Sequence, residues 1–320
     1  MIRYRRPAVF AVVCAAALAC GVPFAAVAGG HSAMQGAAGR PLALTLFRGD
    51  LGANSNLALG SWGSGYAEVS KDRPFSGDSS IKATTNGMYQ GARIDFKESV
   101  DLNDALRNKN AYMRFQLRFT GDGSTQANFD PNNLTTTSGL ASPFKKMRFL
   151  LVMADGSRYE LVRPVEVPPS DDPSGYIPLA FPIAALTKKM DATKMPTGDG
   201  AKLKQIAIFG DRYQQFYIGE IGVITDETDL TVSPLEDQIF FANQTTAFVA
   251  NAEGGASTLR YSWDFDASDG IQEDATGRSV TYVFPKSGQN QKTYKVTLTV
   301  SDVDGLKKPV STTLEANVAD

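Results

Sequence analysis

Histidine and cysteine are nearly missing from this chain. Its 320 residues include one His and two Cys. His31 lies in a short polar stretch near the N-terminus, and Cys14 and Cys20 lie in the apolar segment before it. The remainder has no imidazole and no thiol. That excludes Ser-His-Asp and Cys-His catalysis, His-ligated zinc, Cys-ligated clusters and internal disulfides from the folded part. A basic excess is missing too. Removing residues 1–28, with Arg3, Arg5 and Arg6, takes Lys and Arg from 32 to 29 against 34 Asp and Glu, a formal charge of −5. With no Lys/Arg block to grip phosphates, nucleic acid is not an expected partner. What is present is a chain 42% hydrophobic and long enough for two domains. Its available chemistry is that of carboxylates, hydroxyls, amines, guanidinia and aromatic rings.

Residues 1–28 read as an export signal. Three Arg precede an apolar run over 8–19, Gly21 and Pro23 break it, and Ala26-Val27-Ala28 supplies small residues for cleavage before Gly29. Two other readings use the same residues: an uncleaved membrane anchor, and lipidation at Cys20 after Ala17-Leu18-Ala19. Export to the periplasm or outside a bacterial cell is common to cleavage and lipidation, and after cleavage no membrane span is expected. Residues 29–40 are small, polar and aperiodic, as in a flexible leader.

Residues 41–230 alternate short strand patterns with Gly, Asn, Asp and Pro. Ala111–Phe119 places Met113, Phe115, Leu117 and Phe119 on one face and Arg114, Gln116 and Arg118 on the other. Lys146–Met153 is apolar on both faces at its centre, as in a central strand. Ala154-Asp155-Gly156 signals a hairpin into a strand over 157–165, and strands over 204–209 and 215–225 flank Gly210-Asp211-Arg212. Helical signal is limited to short stretches at 102–107 and 183–190. Residues 124–142 read as a long polar loop. Residues 231–320 form a tighter unit of evenly spaced short strands, the pattern of a β-sandwich. The expected class is all-β.

Within that second unit, Tyr261-Ser262-Trp263-Asp264-Phe265-Asp266 is followed by Asp269-Gly270, Tyr282-Val283-Phe284-Pro285 and Tyr294-Lys295-Val296-Thr297-Leu298-Thr299-Val300-Ser301-Asp302. Their order and spacing resemble a PKD domain, an immunoglobulin-like sandwich. Asp266 stands where that family usually has Gly. The resemblance implies an extracellular spacer or interaction module. Strand alternation makes Trp263, Phe265, Val296 and Leu298 core residues, and the acidic run at 264–270 reads as a solvated turn.

Residues 42–224 resemble a galactose-binding-like jelly roll, the fold of many carbohydrate-binding modules. The resemblance is carried by Leu46-Phe47-Arg48-Gly49-Asp50, Phe75-Ser76-Gly77-Asp78-Ser79-Ser80, Gln90-Gly91-Ala92-Arg93-Ile94-Asp95-Phe96 and Phe216-Tyr217-Ile218-Gly219-Glu220-Ile221. It implies a structural calcium between the opening strand, the Ser-Gly loop and the closing strand, with Asp50, Asp78 and Glu220 as ligands. It also implies polysaccharide or a cell-surface glycan as ligand. Sugar recognition needs aromatic faces beside hydrogen-bonding groups. Trp62 and Tyr66, among Gly60, Gly63 and Gly65, with Tyr89 and Tyr213, supply the rings. Arg93, Arg114, Gln116 and Arg118 supply the polar partners. The same residues also suit a solvated outer face. An adhesive protein that binds other surface proteins, and a glycan-active enzyme working through two carboxylates, are the competing classes.

Overall fold

The computed structural model describes residues 40–119, 144–165, 175–187 and 196–320. Residues 1–28, read above as an export signal and holding Cys14 and Cys20, lie outside them, as do His31 and the stretch 124–142 read as a polar loop.

The first unit contains β1 (Leu44–Phe47), β2 (Leu57–Trp62), β3 (Gly65–Ser70), β4 (Ser80–Asn86), β5 (Gly91–Asp101), β6 (Ala111–Phe119), β7 (Lys146–Met153), β8 (Arg158–Pro164), β9 (Ile177–Pro182), β10 (Lys202–Gly210) and β11 (Tyr213–Thr225). Two one-turn helices, α1 (Asn103–Arg107) and α2 (Ile183–Thr187), fall within the two helical stretches expected from sequence. The strands follow one path, β8-β7-β10-β5-β2-β3-β4-β11-β6-β9, with β1 also on β11. That path curls into two facing layers joined by the narrow β2–β3 hairpin, where only Ser61↔Tyr66 and Trp62↔Gly65 pair. The alternation of each strand turns its apolar side inward. Phe115 of β6 and Phe181 of β9 each lie 5.0 Å from Phe149 of β7, so aromatic rings bridge the layers. Gly210-Asp211-Arg212 carries the chain between layers: β10 pairs with β5 and β7, whereas β11 pairs with β1, β4 and β6.

The second unit has its own core and the strands β12 (Thr231–Val232), β13 (Gln238–Phe241), β14 (Thr245–Val249), β15 (Ala252–Glu253), β16 (Leu259–Asp264), β17 (Ala275–Thr276), β18 (Ser279–Val283), β19 (Gln291–Asp302) and β20 (Val310–Ala319). A five-stranded sheet, β13-β20-β19-β16-β17, packs against the β14–β18 pair. Trp263, Phe265, Val296 and Leu298 are fully buried, and the Trp263 indole donates to the Gly277 carbonyl at 2.9 Å. Asp264 is buried rather than solvated. Its carboxylate accepts the amides of Asp266 and Gln272 and so braces the acidic turn from inside.

The two units meet through buried polar contacts. Lys307, in the β19–β20 turn, donates to Asp226 Oδ2 (3.1 Å) and to the carbonyls of Thr228 (2.6 Å) and Gly254 (2.7 Å). Asp226 also accepts the Ala256 amide at 2.6 Å and pairs with Arg40 at 2.7 Å. Burial pushes the Asp226 carboxyl up, but the Ala256, Thr228 and Lys307 hydrogen bonds prevail and hold it below its ordinary value. Gly255, at φ +60°, leaves room for that carboxylate, since a Cβ there would stand 2.2 Å from Oδ2. Tyr112 shares a hydrogen bond with Ser257 at 3.0 Å across the junction. Burial raises its phenol to about 12.

Candidate functional site

The outer face of the β8-β7-β10-β5-β2 layer is the most built surface of the first unit. Strand registers fix its rows: Ala58, Asp95, Gln205, Val152 and Arg158; then Gly60, Arg93, Ala207, Leu150 and Glu160; then Trp62, Gly91, Phe209, Arg148 and Val162. Their sequence neighbours Ile94, Ile206, Phe149 and Leu151 point into the main core. Alternation therefore puts these side chains on the opposite side of the layer.

Solvent-facing sheet surfaces are normally polar. This one has an apolar floor. Leu150, Ala207 and Phe209 form a separate buried cluster, with Trp62 and Val152 packed on it. Trp62 meets Phe209 edge-on, centroids 5.8 Å apart. The Arg158 guanidinium lies 5.9 Å from the Trp62 ring, although β8 and β2 stand at opposite sides of the layer. Four strand spacings in a flat sheet would separate them by about 19 Å, beyond the summed reach of the two side chains. The layer is therefore curled with this face inside, making a trough.

Charged side chains line the trough in fixed positions. Arg93 donates Nε to Asp95 at 2.9 Å, and Gln205 donates to the other Asp95 oxygen. The Arg93 guanidinium lies across Gly60, where a Cβ would be 2.9 Å from its Nη2. Any larger residue at Gly60 would displace it. Arg148 donates Nε and Nη2 to Glu160 at 2.8 and 2.5 Å and Nη1 to the Met88 carbonyl. Its guanidinium also stacks 4.9 Å from Phe209 and 5.2 Å from Tyr89. Tyr89 is thereby anchored at the rim while remaining 74% exposed.

Of the residues singled out from sequence, Trp62, Tyr89 and Arg93 come together here. Tyr66, Tyr213, Arg114, Gln116 and Arg118 belong to the other layer. Tyr66 stands beside Gln215 there, and Arg118 pairs in register with Tyr217. Arg114 and Gln116 are buried, not aligned along an open face. Arg114 gives Nε and Nη2 to Glu220 Oε1 at 3.1 and 2.5 Å, and Nη1 to the Arg40 carbonyl. Residues 40–44 cover this strip, with Leu42 lying against Gly222. Sequence reasoning missed Arg148, Arg158 and Gln205, and had Glu160 only as one of the carboxylates open to an enzyme, with Glu98, Glu166 and Asp211, not as a member of this face. The hairpin at Ala154-Asp155-Gly156 was a usable signal for placing Arg148, Glu160 and Arg158, because counting outward from it sets Leu150 against Glu160 and Val152 against Arg158.

The segments expected to hold calcium do meet. The Gly49 carbonyl accepts the amides of Asp78 and Ser79 and the Ser79 hydroxyl. Their carboxylates have partners of their own. Glu220 is held by Arg114 and by Arg48 at 3.5 Å, Asp50 caps the Gly52 amide, and Asp78 turns to Lys71 and Ser79. Among the described residues, no three His, Cys, Asp or Glu side chains are grouped to hold a metal ion. Guanidinium charge and hydrogen bonds bind these segments together.

Solved structures with similarity include a β-1,2-glucanase from Parabacteroides distasonis, 13% identical over 87% of this chain at TM-score 0.33; this chain spans 38% of the glucanase's length. A family 30 carbohydrate-binding module of a Clostridium thermocellum cellulosomal cellulase is 9% identical over 57% of this chain and 98% of its own, TM-score 0.36. The module 22–catalytic pair of a C. thermocellum endo-1,4-β-D-xylanase is 8% identical over 63% of this chain and 33% of its own, TM-score 0.27. No curated protein matches. Residues 231–318 match the family model for the PKD domain. With a core on Trp263 and Phe265 between the β16-containing sheet and the β14–β18 pair, the second unit of this chain is a PKD domain.

Proposed function

We propose that this chain is an exported, non-catalytic glycan-binding protein whose binding site is the trough of the first sandwich. The observation that carries the reading is the pair of accessible rings, Trp62 seated on the buried Leu150–Ala207–Phe209 cluster and Tyr89 at the rim, edged by the Arg93–Asp95 and Arg148–Glu160 pairs. A pyranose offers a C–H face and a ring of hydroxyls, and this surface answers both: aromatic rings for the first, preset donors and acceptors for the second. Each charged pair fixes its own geometry, so little side-chain freedom is lost when a sugar binds.

The same bonds favour binding over catalysis: both carboxylates on this face are engaged by arginines and hold them in position. A location in the periplasm or outside the cell is supported by the reading of residues 1–28 as an export signal. An adhesive role through protein partners is the second reading, favoured by Ile239 and Phe241, which stand 73% and 56% exposed on the edge strand β13. A melting scan of the exported form over a panel of polysaccharides, with a reducing-sugar assay alongside, tests the first reading. A ligand that binds only the folded state raises the midpoint. The expected result is a rise with one glycan class and no sugar release. Release of reducing sugar, or no rise with any glycan, contradicts it.

A further inference from the structure

We propose that the trough selects an acidic glycan, one whose sugars carry carboxylates, and that Arg158 and the Nη edge of Arg93 read that carboxylate. This narrows the glycan-binding reading above and rests on it.

The chain as a whole is acidic, yet the trough holds three guanidinia, Arg93, Arg148 and Arg158, against two carboxylates, Asp95 and Glu160. The three are not equivalent. Arg148 spends Nε and Nη2 on Glu160 and Nη1 on Met88, so it is part of the scaffold. Arg93 spends Nε on Asp95, which turns its Nη2 over Gly60 and into the trough. Arg158 is exposed, and among the described residues no carboxylate lies within ion-pair distance of it.

Arg158 is nevertheless held in place, with its Cζ 5.9 Å from the Trp62 ring. A guanidinium resting on an aromatic face keeps its in-plane N–H donors directed outward, where a planar carboxylate takes two of them at once. The ring that would stack a sugar thus also holds the group that would meet an exocyclic carboxylate of that sugar or its neighbour. A neutral sugar leaves the third charge unanswered, whereas a uronate completes the balance with charge-assisted bonds.

The test uses the exported protein with polygalacturonate, polymannuronate and glucuronoxylan, each beside its carboxyl-reduced product, and with a sulfated galactan as a second anion. The expected result is at least about tenfold tighter binding of an acidic polymer than of its reduced form, a charge-assisted bond being worth that or more. Arg158→Gln should cut the preference severalfold, leaving the share read by Arg93, without moving the free protein's melting midpoint by more than about a degree, and Arg158→Lys should restore part of it. Equal binding of parent and reduced polymer overturns the acidic assignment and leaves glycan binding standing. Equal binding of the sulfated galactan overturns the carboxylate assignment. Binding to none of the acidic or neutral polymers overturns both this inference and the reading beneath it.

Discussion

Arg163 Nη2 and Asp304 Oδ2 stand 2.6 Å apart, one from each sandwich, with their side chains only 2% and 6% exposed. Arg163 lies on β8 and also reaches the Ala180 carbonyl of β9 at 3.3 Å. Strands β8 and β9 are the two ends of the curled sheet. Asp304 lies in the β19–β20 turn of the PKD domain, so that turn closes the edge the first sandwich leaves open. In this chain the PKD domain is a structural partner of the first sandwich, beyond any role as spacer.

Removing one member of that pair leaves the other charge buried and unanswered. Asp304→Ala should therefore destabilise the protein by about 3–5 kcal/mol, and pairing it with Arg163→Met should recover much of the loss. Urea unfolding of the two variants checks this. Equal stability of wild type and Asp304→Ala would show that the junction is not held by this pair.

The junction also has a predicted acid limit. The Asp226 carboxyl is held below its ordinary value of 3.8. A depressed carboxylate contributes stability that is full above the unfolded value and is lost as pH falls through the folded one. Stability should hold steady down to about pH 4 and decline below it. Asp226→Asn should flatten the decline and lower the plateau. Midpoints measured between pH 2 and 7 for both proteins decide it; superimposable profiles contradict the assignment.

Glu220 makes its own prediction. With Arg114 and Arg48 supplying the positive charge beside it, chelator and added calcium should leave the melting midpoint unchanged. Glu220→Ala should cost about 3–5 kcal/mol, because Arg114 would stay buried without its partner. A midpoint that drops with chelator would restore calcium to this position.

Much of the fold was legible because period-two alternation and turn residues are local. The strand over Ala111–Phe119, the hairpin at Gly156 and the PKD core on Trp263 all appear where the pattern places them. What alternation does not contain is what covers a face. Arg114, Gln116 and Arg118 form a polar row in sequence, yet residues 40–44, more than sixty positions earlier, fold over Arg114 and Glu220 and turn part of that row into a buried ion pair. The trough was hidden for a related reason. Trp62 and Arg93 come from early strands and Arg148 and Arg158 from later ones, and they share a face only because β10 inserts between β5 and β7. That pairing is non-local and leaves no mark in any single segment.

If Trp62 stacks a sugar, a bound glycan must shield it from collisional quenching of its fluorescence by acrylamide. The chain has two Trp, and Trp263 is fully buried in the PKD core, so the quenchable signal belongs to Trp62. A saturating bound polysaccharide should lower the quenching constant at least about twofold, while Trp62→Ala should weaken binding by about tenfold or more, the loss of a stacking contact worth about 1–2 kcal/mol. An unchanged quenching constant under a polysaccharide that binds, together with full affinity in Trp62→Ala, would contradict it.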